Sequence, residues 1–178
     1  MQTNKLKLYI AMSLDGFIAT KDNDISWLDN LNHDGQDYGY IEFTKGISSY
    51  IIGRTTYDVV LKLTEGKFPQ AEQYDCYVIT RQDRKPEGGV TFYNGDIKQL
   101  IERLKQDGTG HIYCDGGGEI VKLLMQDNLI DEYIISIVPI VLGDGKRLFK
   151  GGVPRFGLEF ISSESYSSGM VQVRYSKK

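Results

Sequence analysis

The chain has 178 residues, of which 40% are hydrophobic and 25% charged, with a formal net charge of −3. That length suits one domain with a sizeable core, and an acidic balance without a basic run excludes a nucleic-acid binder that works by neutralising phosphates. No apolar run approaches the roughly 18 residues of a membrane span, the polar start Met1-Gln2-Thr3-Asn4-Lys5 is unlike a signal peptide, and the expected setting is the cytoplasm.

Leu6 to Met12 is expected as a first strand, with Leu6, Leu8 and Ile10 on one face. Ser13-Leu14-Asp15-Gly16 reads as a turn and Phe17-Ile18-Ala19 as a brief strand. The polar loop Lys21-Asp22-Asn23-Asp24 precedes Trp27, the only tryptophan, and residues 29–36, rich in Asn, Asp and Gly, read as irregular. Asp37 to Lys45 is expected as a helix whose length Gly39 and Gly46 limit. Ser49 to Gly53 is the second core strand, and Arg54 opens a helix with the stripe Tyr57, Val60 and Leu61. A loop from Thr64 to Gln73 leads to a third core strand, Cys76 to Thr80, and then to a short one, Val90 to Tyr93. Asp96 caps a helix whose buried stripe is Ile97, Leu100, Ile101 and Leu104, and Gly108 and Gly110 end it.

Ile112-Tyr113-Cys114 is a buried strand, Gly116-Gly117-Gly118 a tight turn, and Ile120, Val121, Leu123 and Leu124 recur at helical spacing. Asp131 to Val138 is another strand, followed by an apolar edge segment from Pro139 to Gly145. Leu158 to Ser163 and Met170 to Tyr175 form a closing antiparallel pair. Strands alternate with helices until residue 138 and then finish alone. Parallel strands need crossovers whereas a hairpin needs only a turn, so the expected architecture is α/β, a mostly parallel sheet with an antiparallel C-terminal edge and helices on both faces. Residues 1–178 read as a single domain.

Ligands in open α/β sheets bind beyond the C-terminal ends of the strands. Gly53-Arg54-Thr55-Thr56, Thr80-Arg81 and Gly116-Gly117-Gly118 all occupy that position. Helix N-termini present unpaired N–H groups, and arginine offers forked donors, so the three together favour a phosphate-rich nucleotide over surface salt bridges. The fingerprint G-x-G-x-x-G is absent. Arg81, where an acid would hold an unmodified ribose, suits a 2′-phosphate and hence NADPH. Asp15, Asp37 and Glu42 are the candidate acids near the early turns. Asp15 is equally a turn residue before Gly16, and Asp37 equally a helix cap. Cys76 and Cys114 lack zinc or redox spacing and are expected buried and reduced, and with His33 and His111 as the only histidines no metal site is expected.

The succession Ser13-Leu14-Asp15-Gly16-Phe17-Ile18-Ala19, Gly53-Arg54-Thr55-Thr56-Tyr57, Val78-Ile79-Thr80-Arg81, Gly116-Gly117-Gly118, Asp131-Glu132 and Pro139 to Gly145 resembles the dihydrofolate reductase superfamily. It is most similar to the branch typified by the C-terminal reductase domain of the bifunctional riboflavin-biosynthesis deaminase/reductase, in particular its small stand-alone bacterial members. The likeness runs over nearly the whole chain. It implies a three-layer fold with an eight-stranded sheet and NADPH at the strand ends. By resemblance, Gly53, Arg54, Thr55 and Thr56 grip cofactor phosphates, and Thr80 and Arg81 flank the adenosine 2′-phosphate. Gly116, Gly117 and Gly118, with Glu119 beside them, lie under the pyrophosphate and nicotinamide, and one Gly-Gly bond of that turn is commonly cis in the superfamily. Ala11 and Ile18 match the lining of the nicotinamide pocket, and Trp27 an aromatic residue on the substrate side. Asp37 stands at the distance from Gly53 of the acid that holds the pterin in folate reductases, but Tyr38-Gly39-Tyr40 replaces the apolar pattern expected around it.

The expected function is an NADPH-dependent reductase that transfers hydride to a C=N or carbonyl carbon of a small polar substrate. Pterin- and pyrimidine-like substrates both fit, as in dihydrofolate reductase or 5-amino-6-(5-phosphoribosylamino)uracil reductase. Asp15, Trp27 and Asp37 are the expected catalytic residues. Two alternatives stay open: a nucleotide-binding protein without turnover, and a flavin-binding protein using the same cleft. A homodimer is expected from the apolar closing edge and from the habit of related reductases.

Overall fold

In the computed structural model, which describes residues 4–31 and 35–178, the apolar runs become strands of one eight-stranded sheet. In chain order the strands are β1 (Leu6–Ser13), β2 (Phe17–Ala19), β3 (Ile47–Gly53), β4 (Asp75–Ile79), β5 (Val90–Tyr93), β6 (His111–Gly116), β7 (Glu132–Val138), β8 (Lys146–Arg147), β9 (Leu158–Ser165) and β10 (Val171–Lys177). The sheet runs β5-β4-β3-β6-β1-β7-β10-β9, and β2 pairs only with β8. Every pairing from β5 to β7 is parallel, and β10 and β9 complete the edge antiparallel. The expected mostly parallel α/β sheet with an antiparallel edge is what forms.

The α-helices are α1 (Tyr40–Thr44), α2 (Arg54–Leu63), α3 (Ile97–Asp107) and α4 (Gly118–Gln126). Central strands of such a sheet are buried on both faces, and β3 is buried from Ser49 through Gly53. Successive side chains alternate between the faces. Leu6, Leu8, Ile51, Ile112 and Cys114 therefore pack under Leu100, Ile101 and Leu104 of α3 and Ile120, Val121 and Leu124 of α4. Tyr50, Ile52, Cys76, Val78 and Phe92 pack on the other face with Tyr57 of α2. Both cysteines are buried and free. No helix among the described residues is long and apolar enough to cross a membrane.

Three elements depart from expectation. The helix expected over Asp37–Lys45 shrinks to Tyr40–Thr44, because the Asp37 carboxylate accepts from the Gly39 and Ile41 N–H groups and Gly39, at φ 80°, is left-handed. The segment 139–145 adds no strand; instead Lys146–Arg147 pairs with β2. Within the expected irregular stretch 29–36, Ser26–Leu31 forms a 3-10 turn, while Asn32, His33 and Asp34 lie outside the described residues.

Candidate active site

β4, β3 and β6 are neighbours, so their C-terminal ends bring Thr80-Arg81, Gly53-Arg54-Thr55-Thr56 and Gly116-Gly117-Gly118 side by side. α2 and α4 begin there, and neither has a side-chain cap. By contrast α3, which follows the outer strand β5, is capped by Asp96 through the Lys98 and Gln99 N–H groups. No side chain occupies the first-turn N–H groups of α2 or the Gly118 and Glu119 N–H groups of α4, at the positive end of each helix dipole, while the Ile120 N–H donates to the Gly117 carbonyl. Arg54 reaches Asp58 at 2.6 Å and is half exposed, while Arg81 is exposed and forms no ion pair among the described residues.

The glycine turn is built for close approach. Gly116 takes φ 97° and its bond to Gly117 is cis. The Gly117 N–H donates to Thr56 Oγ1 at 3.1 Å, which ties the turn to the start of α2. A Cβ on Gly117 would stand 3.0 Å from Thr56 Oγ1 and 3.4 Å from Ile18 Cδ1. A Cβ on Gly118 would stand 2.2 Å from the Arg147 carbonyl oxygen. Ala11 and Ile18 are half-buried at this end of β1 and β2. Glu119, exposed on the first turn of α4, pairs with Lys150.

The three residues expected to be catalytic lie apart in role. Asp15 clamps loops: it accepts from Ser13 Oγ at 2.6 Å, the Leu142 N–H at 3.1 Å and the Gly143 N–H at 2.7 Å. The Ser13 bond, more than any other influence, holds its carboxyl below the usual range. Asp37 is exposed and caps α1, and its bond from the Ile41 N–H leads in lowering its pKa. Trp27 is buried at 8% exposure, and its Nε1 finds no partner among the described residues.

One acid not singled out from the sequence stands at the turn. Asp115 precedes Gly116, and its carboxylate accepts the Tyr50 hydroxyl at 2.6 Å and the Tyr113 hydroxyl at 2.8 Å. Burial pushes its pKa above the usual carboxylate range, and the two tyrosine bonds pull back only in part. Tyr50 and Tyr113 are buried and their own pKa values are raised, chiefly by burial, so both remain neutral donors. The site thus sets a row of hydrogen-bond donors and arginines beside a carboxyl whose pKa is raised. Side-chain alternation puts Tyr113 and Asp115 on one face, which was the available sequence signal; the contribution of Tyr50, 65 residues away, was not readable.

The family model described as RibD C-terminal domain matches residues 4–172. The Bacillus subtilis (strain 168) protein YwjB is 42% identical over 146 residues, covering 82% of this chain and 82% of YwjB. The crystal structure of a putative riboflavin biosynthesis protein from Shewanella sp. PV-4 matches with a TM-score of 0.87 at 28% identity, covering 98% of this chain and 99% of that one. Dihydrofolate reductase from Enterococcus faecalis, solved in complex with NADP(H), shares the fold with a TM-score of 0.69 at 15% identity, covering 98% of this chain and 96% of that one. With its strand order and these matches together, the chain belongs to the RibD C-terminal domain family, on the fold of dihydrofolate reductase.

Proposed function

We propose that the protein is an NADPH-dependent reductase that delivers hydride to a C=N or carbonyl carbon of a small polar substrate, pterin- or pyrimidine-like. The observation that carries this reading is the alignment of anion-ready groups at the ends of three adjacent strands, β4, β3 and β6. The residues fit the cofactor: two helix N-termini without side-chain caps and an arginine on each of two strand ends, beside a glycine turn packed closely on Thr56, Ile18 and the Arg147 carbonyl. The Enterococcus faecalis relative solved with NADP(H) supports the same choice. NADPH bound there supplies the hydride.

The chain's own residues then divide the work. The N–H groups at 54–56 with Arg54 hold phosphate, and Arg81 with Thr80 holds the 2′-phosphate. The backbone at 116–118 approaches the pyrophosphate, and Ala11 and Ile18 border the nicotinamide. Asp115, whose pKa is raised chiefly by desolvation, is the acid that hands a proton to the substrate atom that gains negative charge as the adjacent carbon is reduced. Trp27 excludes water from the substrate side, and Asp15 fixes the loop that closes over it. Asp37 serves through α1, as its cap.

The test is loss of reduced-nicotinamide absorbance with dihydrofolate and with the deaminated phosphoribosylamino-pyrimidine as separate substrates. Turnover is expected with one of these classes, and Asp115→Asn is expected to lower kcat by about 100-fold or more while NADPH still binds. Tight NADPH binding without oxidation across both classes would replace this reading with a nucleotide-binding protein. A yellow protein with flavin absorbance would replace it with the flavin alternative.

A further inference from the structure

Lys7 and Tyr9 of β1 point to the same face of the sheet as Tyr113 and Asp115. α1 has only five residues, so it leaves this face open over β1, β7, β10 and β9. A cavity of about 580 Å³ lies there, within the range of sites that hold small metabolites. It sits toward the N-terminal ends of the parallel strands, away from the turns at 53–56, 80–81 and 116–118. A hydrogen-bonded wall closes its upper side. The Tyr9 hydroxyl donates to the Tyr38 carbonyl at 2.8 Å, and Gln172 Nε2 donates to that carbonyl at 3.2 Å and to Ser136 Oγ at 3.1 Å.

Lys7, His111 and Arg174 line this cavity. Arg174 is held by an ion pair with buried Glu132. His111 Nδ1 accepts the Lys5 N–H at 3.1 Å, so in the neutral ring the proton sits on Nε2, which is left as a donor. Burial, with Lys7 nearby, keeps that ring neutral by lowering its pKa. Lys7 is half-buried, and its ammonium makes no hydrogen bond or ion pair among the described residues. Burial is the largest influence on Lys7 and disfavours its charge, with the Glu132 carboxylate pulling the other way and Arg174 adding to the burial effect, so a bound anion would favour the charged form. Of the rim charges, Lys45 and Glu42 satisfy each other at 2.6 Å. Across the cavity, Ser162, Gln172 and Glu164 present hydrogen-bonding groups.

We propose that this cavity is a second binding site, separate from the strand-end cleft, for a small metabolite bearing a carboxylate or phosphate, with the oxyanion on Lys7, His111 and Arg174 and its polar body against Ser162 and Gln172. The site does not depend on the reductase reading. The test is amide NMR of the whole chain titrated with inorganic phosphate, with malate and with neutral glycerol, each with and without NADPH. Saturable shifts are expected at Tyr9, His111, Ile134 and Arg174 with an anion and not with glycerol, whether or not NADPH is present. The stronger of the two anions assigns the phosphate or the carboxylate class. Lys7→Met keeps the aliphatic stem at a half-buried position, and it is expected to weaken the anion by about tenfold or more with NADPH affinity unchanged. Shifts confined to 53–56, 80–81 and 116–118, no shifts at all, or Lys7→Met titrating like the wild type would overturn the site.

Discussion

Burial and two tyrosine hydroxyls act on the Asp115 carboxyl in opposite directions, and burial is the larger influence. Its pKa is therefore higher folded than unfolded, and the native state binds that proton more tightly. The resulting stabilisation is full below the ordinary carboxylate range, at about pH 4, and is lost as pH rises through the raised folded value. Asp115→Asn cannot ionise, so its thermal midpoint relative to the wild type is expected to climb between about pH 4 and about pH 7. A difference that stays constant over that range in paired melts would contradict the shift. The strand-end positions of Arg81 and Arg54 were legible because each directly follows a strand-like run. Asp115 was not, because its meaning depends on Tyr50 arriving from β3. Asp37 illustrates the converse, since its local role at the start of α1 describes the bonds it makes; Asp15, legible as a turn residue through its Ser13 bond, also holds the distant Leu142 and Gly143 N–H groups.

Helices α2, α3 and α4 form where apolar residues recur at helical spacing, and α3 shows its cap most plainly. Asp96→Ala removes the bonds to the Lys98 and Gln99 N–H groups and is expected to cost about 1 kcal/mol in denaturant unfolding. Gly118→Ala sets a Cβ against the Arg147 carbonyl oxygen, so the start of α4 or the strand β8 has to move. That change is expected to destabilise by roughly 1–3 kcal/mol and to weaken NADPH, read by melting and by cofactor titration. A substitution neutral in both readings would show that the turn tolerates bulk. Two elements were read in part or not at all. Gly39 was expected to limit α1, but its left-handed backbone at φ 80°, which leaves the helix to start at Tyr40, is not registered by helical periodicity. β8 has two residues, too few for any alternation, and exists because β2 lies beside it.

At the scale of the molecule, alternation of strands and helices conveyed a mostly parallel sheet with an antiparallel edge, but not its strand order. The order places β3 between β4 and β6, and that adjacency is what turns three separate loops into one row. It was not legible in the sequence, since pairings between distant segments leave little local trace. The homodimer expected from the closing strands is proposed at this scale: β9 is an outer strand with Phe160 and Ile161 exposed, and light scattering at micromolar concentration is expected to give twice the chain mass. A monomer there would refute it. The row of strand ends itself is tested most directly by fluorescence titration of NADPH and NADH against the wild type and Arg81→Ala. The expected result is NADPH bound more tightly than NADH by the wild type, with Arg81→Ala losing about tenfold or more for NADPH and little for NADH. NADH bound as tightly as NADPH by the wild type would contradict the assignment of Arg81 to a 2′-phosphate, and no binding of either would contradict the cofactor site as a whole.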